Sequence, residues 1–345
     1  MVEAVRLLGN PARGAHSHSL DASKCVYKGR KTIASFFGAA PEQVVFTAGA
    51  TESLNIAISG LLKPADHVIT TIYEHNSVLR PLYNLGVEMS IVKEISYCHL
   101  KPNTKAVVMT HASNLTGQIL DLQAASQFCK NHGLPLIVDA AQTAGLIPLN
   151  IKDMDILCFT GHKSLLGPQG IGGLVVGHDI NIAPTKFGGS GTDSFSKTQP
   201  SKLPESLEAG TLNTPGIAGL TAGIEYIYNA GMINMYENAL KLAQLFYEGA
   251  RAVQGVKIYS NLDAANMPIV ALNIGDMDSA AVEFCLSNEY GISTRGGAHC
   301  APLLHKLLET EEQGAVRFSF SSFNTEAEVQ AAVKAVDAIA RGYRI

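Results

Sequence analysis

Lys163 stands in "FTGHKSLLGPQGIGG" (residues 159–173), after the end of an apolar run and ahead of a glycine-crowded segment. A nucleotide phosphate loop needs glycine immediately before its lysine and another five residues earlier, whereas His162 precedes Lys163, so that chemistry is excluded. Gly170, Gly172 and Gly173 are too bunched for the dinucleotide fingerprint. One strand-helix unit earlier, "IVDAAQ" ends an apolar run on Asp139. A carboxylate there is costly unless it is paired, and taken alone it also reads as a helix N-cap. Lys163 is expected to be buried at its own strand end, which is costly for a lysine, and the commonest use of a buried lysine is as an amine of lowered pKa that forms a Schiff base. Lysine, aspartate and phosphate-binding groups at one sheet edge suggest pyridoxal phosphate, with Lys163 holding the aldehyde and Asp139 keeping the pyridine nitrogen protonated.

The phosphate needs a cradle of its own. "TAGATES" closes a strand with small residues and opens a helix at Thr51, offering free N–H groups, a positive dipole end and a hydroxyl. Such turns are common and carry little weight alone. Thr160 and His162 flank the lysine and add donors, and His75 in "YEHNS" offers an imidazole to stack on a ring or move a proton. A strand-end histidine also serves structure without chemistry.

These residues must be positioned by the elements around them. Six runs, "QVVFTAGATES", "HVITTIYEHNS", "KAVVMTHASNLTG", "LPLIVDAAQTAG", "DILCFTGHKS" and "GIGGLVVG", end in small or polar residues and alternate with helical patterns. That alternation predicts an α/β fold with a largely parallel sheet and helices on both faces. Ligands of such sheets bind beyond the carboxyl ends of the strands, where the first five runs carry their polar residues. After about residue 215 the pattern changes to a long helix over 215–255, then strands at "PIVALNIG", "GISTRGGAHC" and "AVRFSFSSFN", then a closing helix at "EAEVQAAVKAVDAIARGY". The expectation is a large domain over 1–215 and a smaller α+β domain over 216–345.

The 345 residues carry 26 basic and 30 acidic side chains, net charge -4, without a basic block. This disfavours nucleic acid and membrane surfaces as main partners and favours a small-molecule substrate. No apolar run reaches the roughly 18 residues of a spanning helix, and "MVEAVRLLGNPARG" has no targeting pattern, so a cytoplasmic protein is expected. Cys25, Cys98, Cys129, Cys158, Cys285 and Cys300 show neither Cys-x-x-Cys pairs nor metal-ligand spacing, so no metal site is expected and each reads first as a small buried apolar residue.

The ordered series "GATES", "EHNS", "THASNLTG", "VDAAQTAG", "TGHKSLLGPQGIGG", "EAGTLNTPG", "RGGAHCAP" and "VRFSFSSFNT" resembles the class V aminotransferase-fold enzymes over roughly residues 10–340. It looks most like the cysteine desulfurases of the selenocysteine lyase-related group. The resemblance implies the type I fold of pyridoxal-phosphate-dependent transferases, with a mainly parallel seven-stranded sheet. It implies Lys163 as the covalent cofactor lysine, Asp139 on the pyridine nitrogen, Gln142 on the ring oxygen and His75 over the ring. Ala50, Thr51, Thr160 and His162 are implied to hold the phosphate, with Thr211 reaching in from a second subunit of a homodimer with shared active sites. Asn114 and Arg317 are implied to bind the substrate carboxylate, for which an arginine fork has the right geometry, and Arg295 to line the same pocket.

Cys300 follows "RGGAH", read as a flexible segment able to carry a thiol over the cofactor, with His299 expected to favour the thiolate. The resemblance implies that Cys300 takes the sulfur of L-cysteine as a persulfide, releasing L-alanine, before an acceptor protein or a reductant collects it. Selenocysteine lyase, cysteine lyase, transaminase and a cofactor-binding relative without turnover remain alternatives. Against these relatives, the segment before "NPARGAHSHS" is expected to be shortened, and "SYCH" stands where they carry a helix-bearing insertion. Ala298 occupies a position that is often bulkier in them.

Overall fold

The computed structural model describes residues 1–11, 14, 16–96 and 99–342. Parts of "NPARGAHSHS" and of "SYCH", Cys98 among them, lie outside the described residues. Strands β1 (Val44–Thr47), β2 (His67–Thr71), β3 (Glu88–Val92), β4 (Thr104–Thr110), β5 (Leu136–Asp139), β6 (Ile156–Thr160) and β7 (Gly172–Val176) form one sheet in the order β1-β7-β6-β5-β4-β2-β3. A second sheet holds β8 (Val256–Ile258), β9 (Ile269–Ile274) and β10 (Val316–Ser319) in the order β10-β9-β8. The helices are α1 (Val2–Leu7), α2 (Ser17–Phe37), α3 (Ala50–Leu61), α4 (Asn76–Leu85), α5 (Leu122–His132), α6 (Thr214–Ala230), α7 (Met232–Arg251), α8 (Ser279–Tyr290), α9 (Pro302–Leu308) and α10 (Glu326–Gly342).

The large sheet is α/β and mainly parallel, as the alternation of runs required. Its β-branched strands are buried along their whole length in β1, β2, β5, β6 and β7, the pattern of a sheet covered on both faces. Helix α3 packs on β6 and β7, and α5 on β5. The exception to the parallel run is β7, which lies antiparallel between β1 and β6. Gly173 allows this insertion, since a Cβ there would stand 2.6 Å from the Val45 carbonyl oxygen. The glycine crowding after Lys163 therefore serves strand packing. Because β7 alone is reversed, the carboxyl ends of β1, β2, β4, β5 and β6 share one edge of the sheet.

The chain divides into two compact units: 1–71, 77–111 and 121–230 in the first, and 72–76, 112–120 and 231–345 in the second. The division falls after Ala230 and not near 215, because α6 packs along α2 of the first unit. Gly231, at φ 82, breaks the helical stretch expected over 215–255 into α6 and α7. In the second unit the expected strand at "GISTRGGAHC" is absent. Residues 291–300 pair only through the Arg295–Arg317 bridge, since three glycines and a positive-φ turn leave nothing to extend a ladder. Strands β3 and β8, which escaped the sequence reading, are short and partly exposed. No helix among the described residues is long and apolar enough to cross a membrane.

Candidate active site

In the first unit, Asp139 ends β5 in register with Thr110 of β4 and Cys158 of β6. It is buried, and one carboxylate oxygen accepts the Ala141 N–H at 2.9 Å. Burial pushes its carboxyl above the usual carboxylate range, opposed by the Ala141 N–H and by the nearby charge of Lys163. Lys163, expected to be buried, is instead exposed, because it sits on a turn just past the end of β6, and its charge also helps burial lower the pKa of His162.

That turn is tightly built. Gly161 N–H bonds Ile171 O at 2.9 Å, Gly167 N–H bonds Gly161 O at 2.8 Å, and Leu166 N–H returns to Lys163 O at 2.9 Å. It is braced from "AQTAG", where Gly145 has φ 99 and a Cβ would lie 2.3 Å from Ser164 O. Gln142, on the same braced segment, is half-buried.

The N-terminus of α3 stands beside this turn. A Cβ on Gly49 would lie 3.4 Å from Thr160 Oγ1, and Thr160 Oγ1 is 3.0 Å from His162 Nδ1. Ala50 and Thr51 open the helix, and Thr51 Oγ1 is 2.8 Å from Ser77 Oγ in the first turn of α4. The 12-residue α3 thus presents its dipole end next to Thr160 and His162. An amine, a buried carboxylate and a helix N-terminus with hydroxyl donors fit a phosphate-bearing aldehyde with a protonatable ring nitrogen. Thr211 is exposed and lines a cavity of about 260 Å³ with Tyr27, Arg30, Glu208 and the 189–192 loop.

Sequence reading passed over three groups in this unit. Ser77 lies inside "EHNS", where serine two residues after His75 is its only signal. His111, in "THASN", donates its backbone N–H to Asp139 O at 3.0 Å and brings its Nδ1 within 3.0 Å of Thr143 Oγ1. Burial lowers its pKa to about 4, so it braces the Gln142 turn as a neutral ring. Arg30 and Glu208 form a buried bidentate pair at 2.9 and 2.8 Å, and Glu208 also accepts Phe46 N–H at 2.7 Å. Nothing local in the sequence joins residues so far apart.

The second unit holds His75, Asn114, Arg295, Cys300 and Arg317. Arg295 and Arg317 exchange backbone hydrogen bonds of 3.2 and 2.8 Å in an isolated bridge, which pairs the backbones of two arginines, one on β10 and one on the 291–300 segment. Neither pairs with a carboxylate among the described residues. Arg317 Nη1 donates to Asn114 O at 2.7 Å, while its Nε and the Asn114 Oδ1 are buried without a partner. Burial, and then Arg295, lower the Arg317 pKa. Asn114 Nδ2 donates to His299 O at 2.6 Å, joining the arginines to the Cys300 segment. His75 is half-buried in the 72–76 segment, whose Asn76 N–H donates to Cys300 O at 2.8 Å.

Two expectations about Cys300 are corrected here. The "RGGAH" segment is pinned by these bonds and by Ala315 N–H to Gly297 O at 3.2 Å. His299 does not stand beside the thiol as a cation: it is buried, and burial lowers its pKa to about 4. Cys25, Cys129, Cys158, Cys285 and Cys300 are free thiols, of which only Cys129 and Cys158 are buried.

The sheet order, with its single reversed strand and its lysine turn, defines the type I transferase class of α/β folds. Residues 3–332 match the family model described as Aminotransferase class-V, and the chain belongs to that family. It is 31% identical to a Methanothermobacter thermautotrophicus protein named "Probable cysteine desulfurase", over 96% of this chain and 88% of the relative. A Vibrio campbellii protein named "Cysteine desulfurase IscS" is 29% identical over 95% and 84%. Among solved structures, the apo cysteine desulfurase of Thermococcus onnurineus NA1 matches with a TM-score of 0.88 and 31% identity, covering 99% of this chain and 91% of that one. The Escherichia coli cysteine desulfurase CsdA matches with a TM-score of 0.85 and 27% identity, covering 98% and 90%.

Proposed function

We propose that this chain is a pyridoxal-phosphate-dependent cysteine desulfurase that converts L-cysteine to L-alanine and takes the sulfur on Cys300 as a persulfide. The observation that carries the reading is the arginine pair of the second unit, which lacks a carboxylate partner among the described residues and is tied through Asn114 to the Cys300 segment. Near-full-length likeness to cysteine desulfurases supports the same substrate.

Pyridoxal phosphate, when bound, supplies an electron sink for chemistry at the substrate Cα. Lys163 is the residue for its aldehyde, Asp139 for its ring nitrogen, Gln142 for its ring oxygen and His75 for the ring face. Ala50, Thr51, Thr160 and His162 hold the phosphate, and Thr211 of a second copy completes it. Arg317, Asn114 and Arg295 orient the substrate carboxylate, and Lys163 accepts the Cα proton. The Cys300 thiolate then attacks the substrate sulfur. An S–S bond forms and the Cβ–S bond breaks, its electron pair staying on Cβ, which takes a proton to become the alanine methyl group, and Lys163 returns the proton to Cα. The two sulfurs are oxidised as that carbon is reduced, so no outside oxidant is needed. An acceptor thiol, on a protein or a small reductant, removes the sulfur, and a free reactive thiol suits the reducing cytoplasm.

The test is to incubate the protein with L-cysteine and pyridoxal phosphate. Alanine should accumulate, and the Cys300 peptide should gain the mass of one sulfur. Cys300→Ser should still bind L-cysteine but release alanine far more slowly, because a serine hydroxyl stays protonated without a strong base. Alanine release at the native rate from that variant would replace this reading with a lyase or transaminase.

A further inference from the structure

His299 and Cys300 are consecutive non-glycine residues with left-handed backbones, at φ 50 and φ 55. Such conformations persist where the surroundings over-determine them, and they cluster where a side chain must be aimed. His299 is held from two sides. Its carbonyl accepts from Asn114 Nδ2 at 2.6 Å, and its ring Nε2 lies 2.9 Å from Ala315 O. A carbonyl can only accept, so Nε2 carries the proton and the neutral ring leaves Nδ1 bare. The ring is stacked on His305, with centroids 6.2 Å apart and planes 6° from parallel, and His305 Nδ1 is in turn 2.7 Å from Thr310 Oγ1. Both rings are buried. On the far side of the turn, Cys300 O accepts from Asn76 N–H, and Ala301 N–H bonds Ala298 O at 3.0 Å.

We propose that His299 is a positioning residue for Cys300: its Nε2–H bond to Ala315 anchors the left-handed turn and thereby sets where the sulfur-accepting thiol stands. The inference rests on the reading of Cys300 as the sulfur nucleophile. What the turn requires of residue 299 is a donor at the reach of Nε2. A tolerance for positive φ is not enough. These two demands are separable by substitution. Glutamine places an N–H donor at about the reach of Nε2 but has no preference for the left-handed region. Asparagine favours that region, yet its amide is too short to reach Ala315. Leucine fills the space and donates nothing.

The experiment compares His299→Gln, His299→Asn and His299→Leu in the full-length protein. The first readout is the rate at which iodoacetamide modifies the Cys300 peptide, followed by mass spectrometry without cofactor. The second is kcat and KM for alanine release with cofactor and L-cysteine. His299→Gln should keep both within about threefold of native, while His299→Asn and His299→Leu should lose roughly tenfold or more in kcat with KM little changed, the signature of a misplaced reacting group. Their Cys300 alkylation rates should shift together, away from native and glutamine. Native behaviour of the asparagine variant alongside a defective glutamine variant would overturn the proposal, leaving backbone preference as the determinant. So would a leucine variant with native kcat and alkylation. If the leucine variant does not fold, the glutamine and asparagine pair decides alone. If the native protein makes no alanine, the desulfurase reading fails, and the alkylation order still tests the anchor.

Discussion

Replacing Gly145 with alanine tests how the lysine turn is held. Two costs are legible in the structure. The backbone at Gly145 has φ 99, which an L side chain adopts at a cost of about 1–3 kcal/mol. The new Cβ would stand 2.3 Å from Ser164 O and 2.5 Å from Ser164 C, about 1 Å inside ordinary contact and against backbone that cannot rotate away. Overpacking of that kind costs about 1–3 kcal/mol, so the sum is roughly 2–6 kcal/mol against a total stability of about 5–15 kcal/mol. Gly133 provides the control. It has φ 62 with nothing within 4 Å of its Cβ, so Gly133→Ala should lose only the backbone cost, about 1–2 kcal/mol. Urea denaturation followed by circular dichroism reads the difference. Because Ser164 neighbours Lys163, borohydride trapping of pyridoxal phosphate on the Lys163 peptide should fall as well, by up to about 100-fold for a shift near 1 Å. A Gly145→Ala protein as stable as Gly133→Ala, with native trapping, would refute the claim that this close approach positions the lysine.

Arg30→Ala should destabilise the first unit by about 3–5 kcal/mol, since it strands the buried Glu208 carboxylate, while Arg30→Met with Glu208→Gln should cost much less; urea midpoints check both. Arg317→Lys should raise KM for L-cysteine by about 10-fold or more with a smaller change in kcat, because a point charge cannot replace the guanidinium fork; steady-state alanine release measures it. For pH, His111 has a folded pKa of about 4 against about 6.5 when unfolded, so below 6.5 the unfolded chain binds the extra proton. Its contribution, roughly 3 kcal/mol, is fully present above pH 6.5 and is lost as pH falls toward 4. His111→Asn should flatten the native loss of stability between pH 6.5 and 4, measured by urea titration at each pH; an unchanged slope would deny the burial of His111.

The sequence by itself determined the α/β layout and the residues on offer. Strand periodicity, strand-end polarity and the helix opening at Thr51 are local properties, written within a dozen residues of where they act. Asp139 and Lys163 announced themselves because a carboxylate or an amine is conspicuous at the end of an apolar strand, whereas Cys300 stood out from the other cysteines only through the family resemblance. Only the tertiary structure decided the rest. The reversal of β7 depends on Gly173 meeting the Val45 carbonyl, a partner far away in the chain. The strand expected at "GISTRGGAHC" and the single helix over 215–255 failed because apolar pattern outweighed glycine geometry in the reading, whereas φ values at Gly231 and Gly297 decide the backbone. His299 looked like a cationic neighbour of Cys300 when judged by adjacency alone. Its pKa is lowered by burial, which outweighs the opposing hydrogen bond to Ala315 across the turn, and such desolvation comes from residues that linear sequence does not place side by side.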